Sequence, residues 1–290
     1  MDGGEVDPIV TGAVVKVGAF GEKMADSAAK ETGGLITRLF GPSADVIGNN
    51  WAERLRERNL DKLLRKTEKR AAGKADPGIA NPRVASQVFE AAEYADAEVV
   101  SEYLSGVLAS SRTPDGSSDR GVSWVALIRR LSSDELRLHY VIYASARQIL
   151  LEQGFEQTGS AHNIEVVLPL RDLAASTQMT HRRIGESVEV LMREGLLGDA
   201  YRLGPRDFAF ENELKRDNVE VVYPEVPALR VRVTVHGFAL FAWGNGEGEL
   251  SKGAYLDPTV EMGPIDSDGQ LPLVETKLLK AVVRNKASES

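Results

Sequence analysis

Residues 170–197 read LRDLAASTQMTHRRIGESVEVLMREGLL, and the organisation of the chain turns on them. Leu170, Leu173 and Ala174 recur at helical spacing, Ser176 to Met179 interrupt the run, and Ile184, Val188, Leu191 and Met192 begin a second stripe of period 3.6. Thr180 stands just before that stripe, where its hydroxyl can cap the free N–H groups of a first turn. Gly195, after Glu194, supplies the left-handed position at which a helix stops. Two helices joined by a short turn are therefore expected. A short strand (Ile164, Val166, Leu168) precedes them, and Leu197, Tyr201 and Leu203, the turn Gly204-Pro205-Arg206-Asp207, then Phe208 and Phe210 read as a hairpin.

This order resembles the winged helix-turn-helix superfamily, with Gln178 where such turns usually carry glycine and Ser187 at a position that is usually apolar. The resemblance implies a second helix that enters the major groove with Thr180, His181, Arg182 and Arg183 facing base edges. Arg182 or Arg183 suits a bidentate contact to guanine, and Arg202 and Arg206 on the wing suit phosphates. Glu186, Glu189 and Glu194 neutralise the same helix, so duplex DNA and a protein contact both stand as partners for it.

Toward the N-terminus the periods are helical throughout. In residues 8–48, rich in Gly, Ala and Val, Ile9, Ala13, Val17, Phe20, Met24 and Ala28 share one helical face. Small residues permit close helix approach, which points to a homo-oligomer or core packing through this segment, with membrane contact the lesser reading because Lys16, Glu22, Lys23 and Asp26 interrupt it. A long helix over 51–72 sets Leu55, Leu60, Leu63, Leu64 and Ala71 on one side and a basic stripe, Arg54, Arg58, Lys62, Arg65 and Lys69, on the other. That stripe either follows phosphates or is a solvated face paired with its neighbouring acids.

Pro82 opens the next helix (Val84, Val88, Ala91, Ala92), and Asp96 is placed to cap another that carries Val99, Tyr103, Val107 and Leu108. Glu90, Glu93, Asp96, Glu98 and Glu102 make this pair acidic, facing solvent or the basic helix. Residues 112–121 have loop composition. Trp124, Leu127, Ile128 and Leu131 form a short helix, and Ser132 with Glu135 is a capping box that opens the helix of Leu136, Tyr140, Tyr143, Ala144, Ile149 and Leu150, ended by Gly154. After the hairpin, Val219, Val221 and Tyr223, then Val231, Val233 and Val235, alternate as strands, and an apolar helix starts near Thr234. In the Gly- and Pro-rich tail only 273–283 has a helical pattern.

Composition narrows the class. With 42% hydrophobic residues over 290 positions the chain can bury a core, and the absence of cysteine excludes disulfides and thiolate metal sites. An acidic start and no apolar run near the roughly 20 residues of a membrane helix make the cytoplasm the expected location. The net charge of −8 opposes indiscriminate polyanion binding.

Arg58-Asn59-Leu60 on a basic helix, Val88-Phe89-Glu90-Ala91-Ala92, Tyr103-Leu104-Ser105-Gly106-Val107-Leu108-Ala109 and Leu131 to Glu135, in that order, resemble the bacterial abortive infection alpha family. Where that family has a small-polar helix end, this chain reads Leu108-Ala109-Ser110-Ser111. The resemblance implies antiphage defence by sacrifice or arrest of the infected cell, with a phage or host protein as partner and no catalytic residues to carry over.

The sequence presents no convergent set of catalytic groups. His139, His162, His181 and His236 are scattered, and no zinc-binding His-Glu-x-x-His, phosphate loop or nucleophile elbow occurs. Asp266, Asp268 and Gly269 lack the remaining ligands of a calcium loop, and Gly244, Gly246 and Gly248 read as a helix exit, not a dinucleotide fingerprint. No cofactor and no metal are expected. His139, inside an apolar helix, reads as a core histidine. The expectation is a mainly α protein: a small-residue segment (1–50), a helical domain (51–153), a C-terminal winged helix-turn-helix of α+β type (164–244) and a tail (245–290). Its expected function is non-enzymatic antiphage defence, the helical part an interaction or effector module and the winged part a sensing or positioning one; the alternative is a DNA-binding transcriptional regulator.

Overall fold

Leu60, Leu63, Leu64 and Ala71 lie on one face of helix α1 (Arg58–Ala71) and are all buried, so the apolar stripe faces inward. The computed structural model describes residues 39, 58–71, 78–93, 97–155, 165–203, 226–263 and 277–279, with backbone alone at 58–59, 201–203 and 277–279. Among these the chain is mostly helical, with small antiparallel sheets. Residue 39 is a buried leucine; the rest of the N-terminal segment, including the faces expected over 8–48, lies outside the described residues.

Helix α2 (Pro82–Ala92) begins where proline's fixed φ suits a first turn, and the Asn81 side chain accepts from the Arg83 N–H at 3.0 Å. Helix α3 (Glu98–Ser110) is buried on almost every side, which its four expected apolar positions did not foretell. Ala97 stands at its N-cap without a side-chain cap, and Asp96 is outside the description.

Between α2's approach and α3's exit, two-residue strands β1 (Ile79–Ala80) and β2 (Arg112–Thr113) pair antiparallel. The loop that follows is exposed at Pro114, Asp115 and Ser117, yet it is tethered: the Asn81 amide donates to the Gly116 carbonyl and the Arg112 guanidinium to the Gly78 carbonyl, each at 2.9 Å. Side-chain donors thus hold a segment whose composition alone reads as untethered.

Helix α4 (Gly121–Ile128) and helix α5 (Ser133–Glu152) complete the N-terminal part. The capping box opens α5 with both reciprocal bonds, and Gly154 takes φ 76° at its end.

Strand β3 (Glu165–Pro169) runs directly into helix α6 (Leu170–Thr177), followed by α7 (His181–Arg193) and β4 (Leu197–Leu203). The partner of β4 is β5 (Ala228–Val233), which lies between β4 and β3; the sheet order is β4-β5-β3-β6, all antiparallel. The strands expected at Phe208–Phe210 and Val219–Tyr223 are outside the described residues. Val235 no longer belongs to a strand: Thr234 caps helix α8 (Val235–Gly244), accepting from the Gly237 N–H at 2.9 Å.

The tail supplies β6 (Lys277–Leu279), paired Val166 to Leu278 on β3, where a helical pattern was read. The correction has a physical source, because an open β3 edge with unpaired N–H and C=O groups templates extended backbone irrespective of local periodicity.

The buried apolar residues form one continuous cluster from α1 through α8 to Tyr255 and Leu256. Helix α8, with Phe238, Leu240, Phe241 and Trp243 buried, packs on both α3 and α5, and α5 also meets α6 and α7. Gly106 of α3 and Gly244 of α8 touch backbone to backbone; a Cβ at either would fall within the other's backbone or the Tyr103 ring. No helix of the described residues is long and apolar enough to cross a membrane.

Candidate nucleic-acid interface

The turn between α6 and α7 spans only Gln178 to Thr180. Gln178 adopts φ 57°, ψ 31°, the left-handed conformation that a non-glycine residue reaches at some cost. Met179 is buried beneath it, and the Thr180 hydroxyl accepts from the Arg183 N–H at 3.3 Å. Ile184, Val188 and Leu191 face the core, together with Ser187, which is buried despite its hydroxyl. Met192 departs from the expected stripe: it is 37% exposed, because α7 ends one residue later and Leu196 closes the inner face instead.

That packing turns His181, Arg182, Arg183, Glu186 and Glu189 outward. Arg182 is 88% exposed and its guanidinium donates to Glu186 one turn on, at 2.8 Å, a solvated i,i+4 pair. Arg183 points the other way, into an ion pair with Asp134 in the first turn of α5. Asp134 also lies 3.5 Å from Arg137, whose guanidinium donates to the Thr177 carbonyl at the end of α6. At the far end of α7, Arg130 pairs with Glu194 at 3.0 Å, and its hydrogen bond holds that carboxyl below the ordinary glutamate range. The two arginines adjacent in sequence thus have different surroundings: one lies along the open face of α7, the other is clasped to α5.

Of the two arginines expected on a wing, Arg202 joins β4 with its backbone opposite Leu229, and Arg206 lies outside the described residues. The basic stripe is divided. Arg54 is outside the description and Arg58 begins α1; Lys62 pairs with Glu98 of α3, Arg65 with Asp61 at 2.9 Å, and Lys69 also has a partner. The charges that bind α1 to α3 most closely were not in the stripe: Lys66, buried, meets both Glu98 and Glu102, and Arg70 meets Glu102. Their signal was available in the i,i+4 spacing of Glu98 and Glu102 opposite Lys66 and Arg70, but only the contact of the two helices aligns them.

The described histidines occupy three settings. His139 is fully buried, its Nε2 donating to the Gly237 carbonyl at 3.2 Å, which leaves Nδ1 to accept from the Tyr103 hydroxyl at 2.5 Å. Burial pushes its pKa down to about 3, so it is neutral. His236 is stacked on Trp124, ring centres 5.2 Å apart, and His181 is exposed at the start of α7. Among the described residues no group of three or more His, Asp or Glu is arranged to hold a metal ion.

No family model, curated protein or solved structure matches this chain.

Proposed function

We propose that residues 164–244 form a winged helix-turn-helix and that the chain is a non-enzymatic bacterial antiphage protein of the abortive-infection type, the α1–α5 part acting as interaction or effector module and the winged part sensing or positioning it. One observation supports the winged reading above the others: helix α5, strand β3, helices α6 and α7, then β4 and β5 follow in that order, with β5 hydrogen-bonded between β4 and β3. The defence reading draws on the order of short motifs from Arg58 to Glu135. A plasmid-borne copy is expected to lower phage plaque counts, with infected cells dying or stalling before progeny release. Unchanged counts across a broad phage panel would remove it.

A second reading, a DNA-binding regulator, is favoured by Arg182, which stands exposed at the N-terminal end of α7 beside the Thr180 cap. In this reading Arg182 reads guanine and its pair with Glu186 opens at little cost, because an exposed i,i+4 pair is screened by solvent. Titration with duplex DNA in rising salt tests it: affinity should fall steeply with salt and fall further in Arg182→Ala plus Arg183→Ala. Binding indifferent to both arginines would leave the module as a protein contact.

A further inference from the structure

We infer that Asp134 occupies the position of a DNA phosphate on this protein, clasping Arg183 to α5 so that a phosphodiester gains that arginine only by displacing the carboxylate; the inference rests on the DNA reading of α7. Two guanidinium groups from different helices converge on this one carboxylate, Arg183 from α7 and Arg137 from α5. Arg137 is itself oriented by the Thr177 carbonyl, so the pair of cations is held from the end of α6 as well as from α5 and α7. Asp134 keeps only 15% of its side chain exposed, whereas Arg183 keeps 57%. The anion is thus covered and the cation accessible, which is the arrangement a phosphate would find once the carboxylate is removed. Guanidinium groups bind carboxylate and phosphate through the same planar fork, so the exchange is chemically like for like.

The contrast with Arg182 sharpens the assignment. Its partner Glu186 is exposed, on the same helix, and screened by solvent, so it withholds little. Asp134 belongs instead to the helix that enters the core of the whole molecule, and its negative charge opposes any phosphate approaching the first turn of α7. Two consequences follow. Non-specific DNA is held weakly, in keeping with the acidic net charge, and any shift of the start of α5 relative to α7 changes the number of cations presented.

The test is a fluorescence-anisotropy titration of the full chain with a 20-base-pair duplex of mixed sequence (length about that of two helical turns), between about 50 and 200 mM salt. Asp134→Asn should bind more tightly than the parent, and its plot of log affinity against log salt should be steeper by about 0.9, the increment for one further phosphate. Over a fourfold rise in salt that increment is about a 3.5-fold greater loss of affinity. Adding Arg183→Ala should return the slope to that of the parent. If the parent binds and Asp134→Asn matches it in affinity and slope, the clasp is wrong while the DNA reading stands; if neither binds at low salt, both fall. A comparison independent of any Asp134 variant guards against a folding defect: in the otherwise native chain, Arg183→Ala should weaken duplex binding less than Arg182→Ala and leave the salt slope as in the parent, and an equal or larger loss of affinity overturns the inference.

Discussion

Helix α3 has two seams, and they are built from opposite materials. Against α1 it presents carboxylates: Glu98 and Glu102 meet Lys62, Lys66 and Arg70, and the Thr67 hydroxyl reaches the Ser105 carbonyl at 3.4 Å. Against α8 it presents the absence of a side chain, Gly106 on Gly244, with the Ser110 hydroxyl donating to the Trp243 carbonyl at 3.1 Å and accepting from the Gly248 N–H at 3.0 Å. A charged seam tolerates added volume but not lost charge, because a buried ion deprived of its partner keeps its full desolvation cost. A glycine seam has the reverse sensitivity: charge is irrelevant to it, while one methyl group forces two helices apart.

The largest effect is therefore expected at the glycine seam. Gly106→Val should lower unfolding free energy by about 3 kcal/mol or more and reduce soluble yield, since the obstacle is backbone and cannot rotate away. Denaturant unfolding measures it, and a loss under about 1 kcal/mol would mean that α3 and α8 separate freely. Next comes the charged seam, where Glu102→Gln should cost about 3 kcal/mol by leaving Lys66 and Arg70 short of one carboxylate. Burial alone would lower the Lys66 pKa, but its hydrogen bonds to Glu102 and Glu98 outweigh this and raise it. For Glu98, burial raises the pKa and is outweighed by hydrogen bonds from Lys62 and Lys66, so it is lowered. The linkage follows: the Glu98 contribution is present above the ordinary glutamate pKa and lost as pH falls through the lower folded value; that of Lys66 is present below the ordinary lysine pKa and lost as pH rises through the higher folded value.

His139 of α5 bridges the two helices of the glycine seam, since it takes the Tyr103 hydroxyl from α3 and gives its N–H to Gly237 of α8. Its neutral folded state makes acid destabilising. The stability it contributes is present above the ordinary histidine pKa of 6.5 and declines as pH falls toward about 3, at about 1.4 kcal/mol per pH unit. At pH 5 the loss should be about 2 kcal/mol, and in His139→Gln the slope between pH 6 and 4 should flatten by about one proton. An unchanged slope would assign the acid sensitivity to other groups. The smallest effect belongs to neither seam: Thr180→Ala, losing the α7 cap, should cost about 1 kcal/mol by thermal unfolding. A cost as large as that of Gly106→Val would break the distinction between interior joints and surface caps.

Local signals in the sequence were legible where the cause is local. The Ser132–Glu135 box, the Thr180 cap, the helix end at Gly154, the left-handed Gly195 and the start of α8 at Thr234 each depend on atoms within a few residues, and each occurs as read. The outward set at the start of α7 was legible too, because the apolar stripe of a helix determines its opposite face.

Partnership was not legible, because it is decided by elements far apart in the chain. Nothing near Arg183 distinguishes it from Arg182; Asp134, 49 positions earlier, does so, and only the packing of α5 on α7 brings it there. Lys66 and Arg70, outside the basic stripe read from the sequence, find their carboxylates on α3, and residues 277–279 are strand because β3 offers an edge. What the sequence by itself determined is where helices start, stop and turn their apolar sides. Which charges are neutralised, which glycines are touched and which tail segment is extended came from tertiary contact, since the energies of ion pairing, steric exclusion and edge pairing depend on distances that no short stretch of chain contains.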